Sequence, residues 1–375
     1  VALGVLVDAT VVHADRGALG RYVDGLVVAL CAAGADLTVA CQRSDEERYG
    51  RLVPPARVVA GPPAIVHRAT RLAWEQTGLP RIAAQVGADV IHLPYYSMPI
   101  QAGRPTVVTI HDAAFFTEPE AHNPVQSTYI KSATRTACRR ATRLIVPSKA
   151  TRDDLVRLLG ADPTRMDVAY HGVDHDAFHR PSEDERRRLS DRLGLRGRPY
   201  IAFLGALEPR KNVPNLIRGW VQAVTRQPDP PVLVLAGSGG WDDEVDSAMA
   251  TVPLELQVIR PGYLRSSSLP GFFGGALVVA LPSRGEGFGL PVLEAMACGA
   301  PVLTTRRASL PEVGGDAVAY TEPDAAGIGT ALRELIDDGA QRKTLADAAY
   351  ARSQEFTWAT SAEAHLAAYQ RAVEQ

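Results

Sequence analysis

The stretch Leu281-Pro-Ser-Arg-Gly-Glu286-Gly-Phe-Gly-Leu-Pro291-Val-Leu-Glu294-Ala-Met-Ala-Cys-Gly299-Ala-Pro-Val-Leu-Thr decides the fold. The apolar run that opens it, Ala276 to Leu281, reads as a buried parallel strand. It empties into a glycine-rich loop, and Pro291 stands where a first helical turn begins. Val292, Leu293, Ala295 and Met296 form the inward face of that helix, Gly299 with Pro301 closes it, and a second apolar strand over 301–305 follows. Gly287 and Gly289 leave backbone N–H groups bare ahead of a helix N-terminus, which suits an anion such as a diphosphate. Two acids beside an anion site, Glu286 and Glu294, point to hydroxyl partners, because a carboxylate accepts hydrogen bonds from sugar OH groups. The residues between them span roughly 12 Å if helical, enough for one acid to serve each end of a sugar–diphosphate–ribose. For either acid alone, favourable placement near a helix dipole is the competing explanation.

Working outward, the same alternation of strand and helix recurs on both sides. Strands are expected at 2–7, 36–41, 57–60, 89–93, 105–110, 143–146 and 167–169, and again at 200–204, 232–237 and 256–259. This is α/β architecture with parallel sheets, in two domains that meet near residue 180, where the linker Ala177–Ser182 runs into a helix over 183–193. Ligands of such sheets bind beyond the carboxyl ends of the strands. His111 and Asp112 fall at one such end; His111 is a candidate site residue or a structural histidine, with Asp112 expected to orient its ring. Arg210 and Lys211 fall in another strand-to-helix loop, where adjacent cations can neutralise a diphosphate leaving group or simply face solvent. The first such loop, Asp15-Arg-Gly17-Ala-Leu-Gly20, has glycines spaced G-x-x-G and too late after the strand for a dinucleotide fingerprint, which disfavours an NAD enzyme. Gly17 and Gly20 either admit a ligand or make a tight turn. The loop 113–123, with Phe115, Phe116, Glu118 and His122, is expected to overhang the acceptor. Ser148 is expected to cap a helix from Ala150. Around a helix over 127–141, the run of Lys131, Arg135, Arg139, Arg140 and Arg143 reads as a solvated face, with a polyanion or membrane-surface contact as the alternative.

Bulk properties bound these readings. A chain of 375 residues is long for one core, which favours two domains, and 46% hydrophobic content suffices to build them. A formal charge of −2 argues against a general nucleic-acid binder. The four cysteines, Cys31, Cys41, Cys138 and Cys298, form no close pair, so neither a zinc site nor a disulfide framework is indicated and a reducing compartment fits. No apolar run approaches the ~20 residues of a membrane span. The opening residues Val1 to Asp8 read as a strand and lack the cationic head of a signal peptide.

Glu286-x7-Glu294 within EGFGLPVLEAMACGAPV resembles the signature of retaining glycosyltransferases of family 4. The resemblance implies the GT-B fold, two Rossmann-like domains facing across a cleft, with 1–180 taking the acceptor and 181–355 the nucleotide sugar. It implies that Glu286 binds the sugar hydroxyls, Glu294 the ribose, and Lys211 the diphosphate. The family carries an arginine directly after the Gly205 position, where this chain has Ala206, and Arg210 is expected to substitute for it. Gly17 and Gly20 correspond to a loop on the donor phosphates, with Ala18 where another glycine is expected. The amides of Gly287, Phe288, Gly289 and Leu290 would grip sugar or phosphate, and Gly262, Tyr263 and Leu264 the nucleobase, with Arg260 a further candidate. His111 would line the donor-sugar and acceptor pocket. His171-Gly-Val-Asp174 resembles the family's domain-joining motif, Ser309 to Gly315 a segment near the donor, and 356–375 the helix that crosses back to the first domain.

The resulting expectation is a retaining hexosyltransferase acting from a nucleotide-diphosphate sugar onto a glycan, lipid-linked or small-molecule hydroxyl. GDP-mannose is the first donor, because TIHDAAFF and ALEPRKN look like bacterial mannosyltransferases of surface-polysaccharide pathways; a UDP-hexose is the second. The same resemblance leaves open a non-catalytic sugar-nucleotide or glycan sensor, an epimerase and a phosphorylase. No metal or other cofactor is expected, since no acidic cluster has the spacing for one and the basic residues can neutralise the phosphates. The expected place is the cytoplasm, with contact at the inner face of the membrane as the variant reading.

Overall fold

Thirteen strands are present in the computed structural model, which describes residues 2–12, 16–119 and 124–375; Asp15 and His122 lie outside them. The strands are β1 (Gly4–Asp8), β2 (Asp36–Cys41), β3 (Arg57–Ala60), β4 (Val90–Leu93), β5 (Thr106–Thr109), β6 (Arg143–Val146), β7 (Met166–Val168), β8 (Tyr200–Leu204), β9 (Val232–Ala236), β10 (Val258–Gly262), β11 (Val278–Leu281), β12 (Val302–Thr305) and β13 (Ala319–Thr321). All pairings are parallel, and the strands form two sheets, ordered β3-β2-β1-β4-β5-β6-β7 and β10-β9-β8-β11-β12-β13. The chain divides into two compact units, 1–172 with 356–375, and 173–355. Each sheet reverses its strand order once, at β1/β4 and at β8/β11, which are the crevices where Rossmann-like sheets hold ligands.

The apolar strands are explained by what covers them. In the first unit Val5 and Val7 enter one core with Tyr22, Leu26 and Tyr369, whereas Leu6, between them, enters the other with Ile91 and Leu144. Val107 and Val108 divide in the same way, so side chains alternating at period two are buried on both faces. The three-residue edge strand β13 was not anticipated, being too short and half-exposed to stand out. The division falls between Gly172 and Val173 rather than near 180. Residues expected as a linker instead pack in the second unit: Phe178 is buried, Arg180 pairs with Asp347 at 2.7 Å, and Pro181 sits where a side chain on Gly274 would be. Ser182 and Glu185 form a reciprocal capping box on the helix Glu183–Leu193. Ser148 caps Lys149–Leu159, accepting from the Thr151 amide.

The helix Trp358–Val373 returns to the first unit and is fastened there by a buried hydrogen-bonded chain. His365 Nδ1 lies 2.7 Å from the Ser361 carbonyl, which only accepts, so this nitrogen carries the proton and Nε2 must accept from the Tyr22 hydroxyl at 2.9 Å. Thr109 Oγ1 then donates to Tyr22 at 2.9 Å, His92 Nε2 donates to Thr109 at 2.8 Å, and Tyr369 donates to His92 Nδ1 at 2.8 Å. Every proton is thereby assigned, and the chain begins and ends on the returning helix. Asp167 adds a second fastening, accepting from Arg143 in β6 and from Arg371 at 2.6 Å each. Arg143 is therefore a buried strand residue and no part of the basic helical face; Lys131 and Arg135, which are, lie over the Phe116 ring. Phe115, expected in an overhanging loop, is turned into the core.

This chain of donors works only with neutral histidines. Burial pushes His365 down to about 4 and His92 well below its usual range. Groups whose folded pKa is depressed below the unfolded value near 6.5 bind protons preferentially when unfolded, so the stability they confer is complete above pH 6.5 and is lost as pH falls toward 4. For His365 alone this amounts to about 3 kcal/mol. Hydrogen-exchange protection of residues 358–373, corrected for intrinsic rates, is expected to fall between pH 7 and pH 5, and His365→Phe to flatten that dependence while lowering protection at pH 7. Protection that is constant over this range in the wild type contradicts the account.

Candidate functional site

Two loops at the second unit's switch point build a charged cluster. After β8, Gly205 leads into a short turn, Pro209–Lys211, and the helix Val213–Val224; after β11, residues 282–289 lead into the helix Leu290–Ala297. Gly289 adopts φ 100° and Gly299 φ 67°, left-handed conformations that let the chain enter and leave the second helix sharply. Across these loops Glu286 accepts from Arg210 at 2.6 Å and from Lys211 at 2.5 Å, and Ser283 Oγ donates to it at 2.7 Å. Arg210 also pairs with Glu208 at 2.9 Å. Burial alone would raise the Glu286 carboxyl, but Arg210, Lys211 and Ser283 outweigh it and hold the group down at about 2. Burial and the neighbouring Arg210 lower Lys211, against the pull of Glu286.

The framework under this cluster was largely unanticipated. Asn212 holds φ 62° and is 1% exposed; its Nδ2 donates to the Pro282 carbonyl at 3.1 Å and the Pro323 carbonyl at 2.6 Å. It thus ties together the loops following β8, β11 and β13. The signal was an asparagine at a turn-to-helix junction, a residue that tolerates left-handed backbone. Ser309 donates to the Glu286 carbonyl at 2.7 Å and fixes the acidic loop from a third side. Gly237, at φ 132°, approaches so closely that a side chain there would meet the Gly205 carbonyl at 2.1 Å.

The other sequence-designated residues are placed as follows. Glu294 is buried at 2% exposure on its helix, and Phe288 and Leu290 are buried beside it in sequence. Gly262 ends β10 at φ 74°, Leu264 is buried, Tyr263 is exposed, and Arg260 pairs with Asp246 at 3.1 Å. In the first unit, Gly17 opens its helix at φ 22° with nothing among the described residues within 4 Å of a Cβ there, whereas Gly20 is required by packing, since a Cβ would sit 2.7 Å from that of Arg16. His111 Nε2 donates to the Pro94 carbonyl at 2.7 Å, leaving Nδ1 with the lone pair in the neutral ring. Burial lowers its pKa, against the Pro94 contact and Asp112. Asp112 does not hydrogen-bond that ring as expected: its Oδ1 accepts from Tyr96 at 3.0 Å and from the Ala114 amide at 3.2 Å. The Pro94 carbonyl orients His111 instead.

Comparison with known proteins matches residues 19–177 to Glycosyltransferase Family 4 and residues 185–352 to Glycosyl transferases group 1. An Escherichia coli O-antigen chain mannosyltransferase B is 30% identical over 284 residues, covering 75% of this chain and 74% of that protein. A D-inositol 3-phosphate glycosyltransferase of Arthrobacter is 28% identical across 96% of this chain and 91% of that protein. Among solved structures, Anabaena HepE in complex with UDP-glucose shares the fold, with a TM-score of 0.75 and 20% identity over 96% of this chain and 97% of that one. No helix among the described residues is long and apolar enough to cross a membrane.

Asn212 separates backbone strain from loop tethering. Asn212→Gly keeps the left-handed backbone and loses both carbonyl contacts, with an expected destabilisation of about 1–3 kcal/mol. Asn212→Ala adds roughly 1 kcal/mol of strain. Urea melts showing both variants equal to wild type would remove the residue from the framework.

Proposed function

We propose a donor, a stereochemistry and residue roles from one premise: this chain belongs to the family 4 glycosyltransferases, its second half being a group 1 glycosyl transferase domain. The observation that carries the proposal is the cluster of Arg210, Lys211 and Glu286 at the β8/β11 switch point. Transfer from a nucleotide-diphosphate sugar breaks the bond between the anomeric carbon and a phosphate oxygen, and the leaving group departs with that electron pair. Lys211 and Arg210 neutralise it, with Arg210 standing in for the family arginine absent at Ala206. The amides of 287–290 add donors for phosphate or sugar.

Glu286 now occupies both cations, so a diphosphate reaching them shares or replaces that contact, and the carboxylate turns to the sugar hydroxyls. Glu294 takes the ribose, and the end of β10, around Gly262–Leu264, takes the base. The acceptor is bound by the first unit, near His111. Its oxygen bonds to the anomeric carbon on the face that the diphosphate leaves, its proton passes to the departing phosphate oxygen, and configuration is retained. No enzyme carboxylate needs to attack, unlike the paired acids of retaining glycosidases.

The donor we assign is GDP-mannose, in keeping with the E. coli mannosyltransferase at 30% identity. A thermal-shift series with GDP-mannose, GDP, UDP-glucose and UDP tests this. The cognate ligand at a hundred times its Kd adds ~2.7 kcal/mol, and stabilisation by the uridine pair alone overturns the donor assignment.

Lys211→Ala is expected to lower turnover by ~2.7–4 kcal/mol in barrier, about a hundred- to a thousandfold. Wild-type activity is expected to survive dialysis against EDTA, since these cations supply the neutralising charge. Near-normal turnover of the variant, or activity that returns only with magnesium or manganese, counts against the assignment.

The two acids are expected to fail differently. Glu286→Gln lowers kcat, because the transferred sugar changes geometry and charge in the transition state. Glu294→Gln raises the donor KM and weakens nucleoside diphosphate binding by ~1.5–3 kcal/mol, roughly ten- to a hundredfold. Calorimetric titration of GDP into both variants reads the difference, and loss of binding in Glu286→Gln with retention in Glu294→Gln reverses the roles. Melting curves accompany it, because Glu286→Gln also leaves the buried Lys211 and the half-buried Arg210 short of their counter-charge.

A further inference from the structure

The first unit has a cavity of 220 Å³ between the helix Arg68–Val86, the loop after β4 and the helix Pro124–Arg140. It lies at the carboxyl edge of the sheet beside the β1/β4 switch point, where Asp8 ends β1 and Ser97 follows β4. Its wall carries an unusual residue. Glu75 is 3% exposed and shares the buried face of its helix with Leu79 and Ala83, a face that core packing alone would fill with apolar side chains.

The polar groups there form an ordered set. Ser97 Oγ donates to Glu75 Oε2 at 2.7 Å, and Gln76 Nε2 donates to Glu75 Oε1 at 3.2 Å and to the Met98 carbonyl at 3.1 Å. Tyr129 lines the cavity from the facing helix, and Thr136 lies farther along the same wall. Leu72 and Met98 supply apolar surface between them.

We propose that this cavity is a subsite for one neutral sugar ring of the acceptor, gripped through its hydroxyls by Glu75, Gln76 and Ser97 with its apolar face on Met98 and Leu72. The inference rests on the glycosyl-transfer reading and extends it by naming the acceptor's class and place. Size supports a single ring, since pockets for drug-sized ligands run to ~300–1,000 Å³. Charge supports a neutral one. Glu75 and Asp8 face the region from the helix and from β1, Arg71 offsets them, and Tyr95 and Tyr129 complete the titratable neighbours. Burial, foremost, and Asp8 push Glu75 up to about 7, so near neutral pH this carboxyl both donates and accepts, as a hydroxyl partner does. Arg71 does not outweigh burial and Asp8, so the region holds no surplus positive charge to bind an anionic sugar.

Saturation-transfer NMR on the full chain tests this with methyl α-mannopyranoside, mannose 6-phosphate and glucosamine as probes. Transfer is expected to the methyl glycoside in preference to the charged sugars, and to disappear in Ala133→Trp and in Ser132→Trp, which fill the cavity from its helical wall. Glu75→Gln should abolish a pH dependence in which wild-type binding tightens roughly three- to tenfold above pH 7, as the carboxylate becomes the stronger acceptor. Transfer that persists in both tryptophan variants, absence of transfer to the methyl glycoside, or preference for a charged sugar overturns the proposal. Titration of GDP-mannose into the same proteins reads the second unit separately. Donor binding without glycoside binding defeats the subsite alone, whereas glycoside binding without donor binding defeats the donor reading.

Discussion

Glu286 is the residue on which the second unit's site depends. A carboxylate at this depth is costly unless paired, and its two cations come from a different strand-to-helix loop. The same contact therefore joins the loops after β8 and β11 and places positive charge over the crevice between those strands. Ser283 and Ser309 fix the acidic loop, and Asn212 holds the basic one against it. Arg210, Lys211 and Glu286 thus keep one another in place across two loops, and these are the groups to which the diphosphate is assigned in the proposal.

The first unit uses buried polar groups differently. Its network contains no ion pair at the centre; it is a directed chain of hydroxyls and neutral imidazoles whose proton positions follow from one carbonyl that can only accept. Because the chain starts and ends on the helix Trp358–Val373, a segment distant in sequence becomes integral to the first sheet's core. His111, two residues beyond Thr109 of this network, is held by the Pro94 carbonyl and rests edge-on to the Tyr22 ring at 5.0 Å. The histidine expected to line the site is thus supported by the same aromatic layer that anchors the returning helix.

What the sequence determined by itself was the architecture and the loops in which the charged cluster lies. Apolar runs alternating with amphipathic helices require parallel sheets covered on both faces, and strand ends identify the loops that can carry a site. Lys211, Arg210, Glu286 and His111 stood out as candidates because they lie in the loops that follow such runs. Arrangements that depend on partners far along the chain were not. Nothing in the sequence pairs Glu286 with residues 75 and 76 positions earlier, gives Asn212 two carbonyls from separate loops, or replaces Asp112 by Pro94 as the group that orients His111. Glu75 is the clearest case. At its spacing from Leu79 and Ala83 it marks the buried face of a helix, yet only the packed structure shows that this face borders a cavity. Local periodicity is a property of neighbouring residues, whereas the pairing of buried polar groups is decided by which strands and helices the topology brings side by side.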